Sequence, residues 1–184
     1  QEGSTWYYLN ASGVMVTGTV TIGGQQHSFN SSGVWLGQVQ SQKNGWVQES
    51  GKWYYYQNGA KATGWKQIGG VWYFFKTDGV MATGWLQQGS IWYYLNSSGA
   101  MVTGWLQSGN TWYYFGSSGA MVTGWLQVGS TWYYFQGSGA MQTGWLKLGG
   151  TWYYFHSSGA MATGSVTVGG KTYNFNSSGA CLNP

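Results

Sequence analysis

Charge is scarce in this chain. Of 184 residues only 5% are charged, there is no arginine, and the three acids are Glu2, Glu49 and Asp78. The seven lysines that give the net charge of +4 are scattered rather than clustered. A nucleic-acid surface needs grouped cations that release counterions, so a nucleic-acid partner is not expected. The acids lie far apart in sequence, and the many serines have no histidine partner, which leaves no acid-base pair or nucleophile for catalysis. His27, His156 and Cys181 share no metal-ligand spacing. No metal and no cofactor is therefore expected. One cysteine makes no disulfide framework, and Cys181 reads as a small apolar side chain. No run approaches the ~20 apolar residues of a membrane span, and no signal-peptide pattern opens the chain.

What is abundant is ring and glycine. Aromatic residues make up 20% of the chain, with 14 Trp and 15 Tyr beside 33 Gly. Disordered segments are rich in charge and poor in aromatics, so this composition argues for a folded chain. The rings recur on a fixed period. Tryptophans after glycine stand at Trp65, Trp85, Trp105, Trp125 and Trp145, and a second series stands at Trp72, Trp92, Trp112, Trp132 and Trp152. A period of about 20 residues marks a repeat architecture whose units bury their apolar faces only by stacking.

Each unit, as in WLQSGNTWYYFGSSGAMVTG from Trp105 to Gly124, carries two short aromatic and β-branched runs around a glycine turn. That is a β-hairpin signature, and no apolar pattern at helical spacing persists. The expected fold is all-β, a solenoid of stacked hairpins. Residues 1–37 hold a partial and a degenerate repeat, 38–45 form a polar insertion that reads as a break or bend, and 46–184 form the main stack with a degenerate cap. Gln1 aligns with the third position of a repeat, so more chain is expected before it, where a catalytic domain could lie.

Strand side chains alternate between faces, and the degenerate repeats show which face is dispensable. In the last unit Thr172 and Asn174 replace Trp and Tyr, while Tyr173 and Phe175 are kept; Ser165 replaces the first Trp, while Val166 stays apolar. Leu106, Tyr113 and Phe115 are therefore assigned to the core, and Trp105, Trp112 and Tyr114 to a functional face. Three ring faces around one point attract a quaternary ammonium group without any acid.

The pattern GWLQxGxTWYYFxxSGAMxTG resembles the choline-binding repeat of Gram-positive cell-surface proteins. The resemblance implies a secreted, non-catalytic module on the bacterial cell surface that attaches to choline residues of teichoic and lipoteichoic acids. It also implies cages of two tryptophans, a tyrosine of the next hairpin and a methionine. By position these are Trp65, Trp72, Met81 and Tyr94; Trp85, Trp92, Met101 and Tyr114; Trp105, Trp112, Met121 and Tyr134; and Trp125, Trp132, Met141 and Tyr154. Elsewhere the pattern departs: Trp46 and Trp53 would meet Phe74 and Lys61, Trp145 and Trp152 would meet Asn174, and Trp6 would meet Ser28. Two other readings stay open. Related repeats bind glucan in extracellular glucosyltransferases, with Gln87, Gln107 and Gln127 as polar flanks for a sugar. The stack could also be a passive stalk or adhesin spacer, and formation of a homodimer is left open.

Overall fold

The computed structural model describes residues 4–39 and 42–184. The reading placed on Gln1, and the centre of the insertion at Gln40 and Ser41, lie outside the described residues. Regular structure among the described residues is entirely β, in line with the all-β hairpin repeat expected from the period. The chain forms two compact units, one ending at Ala62 and one spanning Thr63–Pro184.

The first unit holds two three-stranded antiparallel sheets. One contains β1 (Gly18–Ile22), β2 (Gln25–Phe29) and β3 (Trp35–Val39). The other contains β4 (Gly45–Glu49), β5 (Lys52–Gln57) and the short β6 (Ala60–Lys61). Gln38 and Val39 complete β3 opposite His27 and Gln26. Lys43 and Asn44 belong with the hairpin that follows: the Lys43 carbonyl accepts the Gly59 N–H at 3.0 Å, and Asn44 Oδ1 accepts the Asn58 N–H at 2.7 Å.

The second unit is six consecutive hairpins, each a two-stranded antiparallel sheet. They are β7 (Gly64–Ile68) with β8 (Val71–Phe75), β9 (Gly84–Gln88) with β10 (Ile91–Leu95), and β11 (Gly104–Ser108) with β12 (Thr111–Phe115). Then follow β13 (Gly124–Val128) with β14 (Thr131–Phe135), β15 (Gly144–Leu148) with β16 (Thr151–Phe155), and β17 (Gly164–Val168) with β18 (Lys171–Phe175). In β11 and β12, Trp105 faces Tyr114 and Leu106 faces Tyr113 across the ladder, so the period-two division into faces is as the sequence pattern requires.

The hairpins stack front to back. Trp105 meets Phe135 of the next repeat at 5.8 Å between ring centroids, and Tyr114 meets the same ring at 6.3 Å. Phe75, Leu95, Phe115, Phe135 and Phe155 are each 0% exposed, one sealed side chain per repeat. Full burial of such a side chain is worth about 1.5–3 kcal/mol, which an isolated two-stranded hairpin could not obtain. The stack is also tied through the backbone. The N–H groups of Met101, Met121, Met141, Met161 and Cys181 donate to the carbonyls of Trp72, Trp92, Trp112, Trp132 and Trp152, each at 2.8 Å.

After each hairpin a turn ending in glycine returns the chain, with serine before that glycine in all but the first, which has Asp78. Glycine is required at Gly119, where φ is +78° and an added Cβ would lie 2.3 Å from the Sδ of Met101. The methionine of one repeat is thus pressed beneath the turn of the next, and the pliable thioether fills the gap between them.

Candidate functional site

Stacking front to back leaves a cavity beside each pair of tryptophans from the first four hairpins of the second unit. The cavity at Trp65 and Trp72 is lined further by Tyr93, Met101, Ser117 and Ser118. That at Trp85 and Trp92 has Tyr113, Met121 and Ser138. The cavity at Trp105 and Trp112 has Tyr133, Met141, Ser157 and Ser158. The fourth, at Trp125 and Trp132, has Tyr153, Met161, Ser177 and Ser178. Their volumes run from about 300 to about 430 Å³.

The walls meet nearly at right angles. Trp105 and Trp112 are 6.1 Å apart with planes at 85°, and Trp105 and Tyr133 are 4.8 Å apart at 71°. The same corners recur at Trp85 with Trp92 and Tyr113, and at Trp125 with Trp132 and Tyr153. Trp112 stands 39% exposed as the outer wall. No carboxylate or lysine lines any of the four cavities, so their interiors offer ring faces, thioethers and serine hydroxyls.

The tryptophan pairs fall where the spacing puts them, but their companions differ. Sequence position gives Trp65 and Trp72 to Tyr94 and Met81; the structure brings Tyr93 and Met101 to them. Likewise Tyr113 and Met121 stand where Tyr114 and Met101 are expected, Tyr133 and Met141 replace Tyr134 and Met121, and Tyr153 and Met161 replace Tyr154 and Met141. The displaced tyrosines pack on tryptophans of their own hairpins: Tyr94 on Trp85, Tyr114 on Trp105, Tyr134 on Trp125 and Tyr154 on Trp145, at 5.1–5.3 Å. Met81 lies beneath Gly99.

The physical reason is the stacking itself. A cavity lies between the tryptophan face of one hairpin and the opposite face of the next, so the third ring comes from the face that also supplies the buried phenylalanine. The terminal repeat held the clue. Tyr173 and Phe175 both pack on Trp145, at 4.7 and 5.8 Å between centroids, and so serve the repeat behind them.

Trp145 accordingly meets Tyr173, at 4.7 Å and 72°, rather than Asn174. With Trp152 at 6.1 Å and Cys181 bonded to the Trp152 carbonyl, this is a fifth ring cluster with cysteine in the methionine place. Asn174 is engaged by the Ser165 hydroxyl at 2.6 Å. In the first unit Trp6 does not wait on Ser28: its carbonyl accepts the N–H of Trp35, which occupies the methionine place, and Trp35 Nε1 donates to His27 Nδ1 at 3.1 Å.

Lys61 has its own partners within the first unit. Its ammonium lies 3.5 Å from the Tyr54 ring centroid and 3.3 Å from Glu49 Oε2. Lys43 pairs with the other Glu49 oxygen, which also accepts the Tyr56 hydroxyl at 3.0 Å. The Lys43 hydrogen bond first, then that of Tyr56, pull the Glu49 carboxyl from its ordinary 4.5 down to about 2.

A family profile described as a choline-binding repeat matches residues 62–103, 84–124, 102–142 and 122–165, and one described as a putative cell wall binding repeat matches 1–15 and 44–59. Among solved structures, choline binding protein F of Streptococcus pneumoniae, in the presence of a peptidoglycan analogue, is 31% identical with a TM-score of 0.75. That match covers 96% of this chain and 83% of the other. CbpJ from Streptococcus pneumoniae TIGR4 is 40% identical with a TM-score of 0.71, and the match covers 96% of this chain and 61% of CbpJ. CbpF in complex with ipratropium is 38% identical with a TM-score of 0.68, over 96% and 62% of the two chains. No curated protein sequence matches.

Proposed function

The chain belongs to the choline-binding repeat family, a non-catalytic binding module of surface-associated cell-wall proteins, and we propose that its four cavities are choline cages that attach the parent protein to teichoic and lipoteichoic acids. The observation that carries this reading is the mutual arrangement of Trp105, Trp112 and Tyr133: three ring faces at steep angles around an apolar space with no carboxylate. A quaternary ammonium has no N–H to donate. It is held by ring quadrupoles and apolar contact, which is what these walls supply.

The energies explain the repetition. A cation–π contact contributes about 0.5–2 kcal/mol, and three reach only the ~4.1 kcal/mol of millimolar affinity. Four such sites on one stack, meeting a polymer with many cholines, make later contacts intramolecular and raise affinity by ~10² to 10⁴ without new chemistry. Gln87, Gln107 and Gln127, the polar flanks a sugar would use, are not among the lining residues, which favours choline over glucan.

Intrinsic tryptophan fluorescence titrated with choline and, in parallel, with dextran tests the reading. A saturable change with choline alone is expected. Silence at roughly tens of millimolar choline, above the affinity that three such contacts imply, overturns it. A saturable dextran response in place of choline points to glucan.

A further inference from the structure

The repeat that starts at Thr19 has lost both tryptophans, yet its departures from the pattern converge on one place. His27 stands where later repeats have Tyr93, Tyr113 or Tyr133, and Trp35 stands where they have Met101, Met121 or Met141. In those repeats the methionine makes a single bridge to the sealed side chain before it, as Met121 does with Phe115. Here the bridge has grown into a strand. Trp35 faces Phe29, the ladder slips by a bulge next to Ser28, and β3 runs on to Gln38 opposite His27 and Val39 opposite Gln26. Strand partners share a face, so Trp35, His27 and Gln38 project from the same side of the sheet, and Gln25 joins them two residues before His27.

The four side chains are tied into one surface. Trp35 Nε1 donates to His27 Nδ1 at 3.1 Å, with the ring centroids 5.9 Å apart and the planes 41° from parallel, unlike the near right angles of the tryptophan corners. Gln38 Nε2 donates to Gln25 Oε1. An indole N–H can only donate, so Nδ1 is the acceptor, and in the uncharged imidazole the proton sits on Nε2. Three polar groups are then left without a protein partner among the described residues: the His27 Nε2–H, the Gln25 Nε2 amide and the Gln38 Oε1 carbonyl. Trp35 is 40% exposed beside them. Residues 18–39 include no lysine, arginine, aspartate or glutamate.

We propose that this sheet face is a second ligand site, separate from the ring cavities, and that it binds a neutral chain of N-acetylated hexosamine. An exposed indole offers a large apolar platform for the apolar face of a pyranose ring. The leftover amide donor and acceptor match an acetamido group, whose carbonyl accepts and whose N–H donates, and the His27 Nε2–H remains for a ring hydroxyl. With no charged side chain on the sheet, a neutral ligand strips no ion of its water. A few fixed polar groups around an apolar surface set orientation and so specificity. His27 serves twice, since it holds the indole through one nitrogen and donates through the other. Loss of the tryptophans at Thr19 and Gln26 is then a change of ligand, made at the same two positions that give a tyrosine and a methionine to the ring cavities.

Ligand-observed saturation-transfer NMR on the whole chain tests this, with chitotetraose as the probe and isomaltotetraose as a sugar of equal length that lacks acetamido groups. Each is measured with and without choline at roughly tens of millimolar, enough to fill sites of millimolar affinity. Chitotetraose should bind equally in both conditions, and isomaltotetraose about tenfold more weakly, the scale of one or two lost hydrogen bonds. The double variant His27→Tyr with Trp35→Met restores the pair with which the other repeats fold; it should abolish the chitotetraose signal and leave the choline titration unchanged. Should that variant fold poorly, Gln38→Ala decides, because it alters one exposed side chain and should weaken chitotetraose about two- to tenfold. A signal that choline competes away puts the sugar in the ring cavities and overturns the proposal. So does a signal that survives either set of substitutions undiminished, equal binding of the two sugars, or no signal at all. Silence toward choline overturns the cages and leaves this site standing.

Discussion

The indole of Trp105 and the phenol of Tyr133, twenty-eight positions apart in the chain, stand 4.8 Å apart with their planes 71° from parallel. That contact joins two faces that the alternation of each strand keeps separate. It makes every ring-lined cavity a property of a junction rather than of a hairpin.

Tyr133→Ala should therefore weaken choline at one site of four. Loss of one ring removes about 0.5–2 kcal/mol, a reduction of roughly two- to thirtyfold at that site. Tyr134→Ala, which strips packing from Trp125 and Phe155, should instead lower the melting temperature. Calorimetric titration of both variants checks the pairing. If Tyr134→Ala alone reduces choline binding, the third ring has been misassigned.

Gly119→Ala should destabilise the stack and damage a site at once. The positive φ and the 2.3 Å approach to Met101 Sδ force the methionine out of the Trp65 cavity. Strain and overpacking together cost about 1–3 kcal/mol each where neither is relieved. Thermal unfolding and choline stoichiometry should both fall; a variant that matches the natural chain in both would show that the turn yields freely.

Much of this was legible before any coordinates. The period named the hairpins, alternation named the two faces, and the tryptophan pairs fell at the cavities that Trp65, Trp85, Trp105 and Trp125 line. What spacing does not carry is which face of the next hairpin turns toward a given tryptophan. Retention of Tyr173 in the degenerate last repeat looked like core conservation within that repeat, because a side chain that serves the neighbour behind it leaves the same trace. The one-repeat displacement of the methionines has the same origin: Met101 is bonded through its backbone to Trp72, a contact between repeats that no local pattern encodes. The serines that line each cavity lie still further along the chain.

Cys181→Met should improve the last ring cluster. Trp145, Trp152 and Tyr173 are already in place, and the longer thioether would restore the fourth wall that Met161 gives to the cavity before it. The expected result is a gain in choline affinity at a fifth site, read from calorimetric stoichiometry. An unchanged isotherm would show that the cysteine does not limit this cluster.

The first unit should respond to acid through Glu49. Its carboxyl titrates at about 2 in the folded chain against an ordinary 4.5. A depressed folded value means that the stabilisation is complete above 4.5, declines as pH falls, and is gone once pH passes below about 2. Glu49→Gln should remove this dependence over that window. Melting curves of the two chains at pH 6 and through the acid range measure it; the carboxyl is partly exposed, and added salt should shrink the effect. Identical acid profiles would show that the Lys43–Glu49–Lys61 cluster does not contribute.

The serine turn that each cavity takes from two repeats ahead has an arithmetic consequence. A cavity with all its walls draws on three successive repeats, and six hairpins accordingly yield four such cavities. The first two repeats of any array are overhead; thereafter each duplication of a twenty-residue segment adds one whole site and leaves the others intact. If these cavities are the choline cages proposed above, retention on a surface rises in discrete steps with gene length, and a single in-frame gain or loss of a repeat resets it without altering any contact.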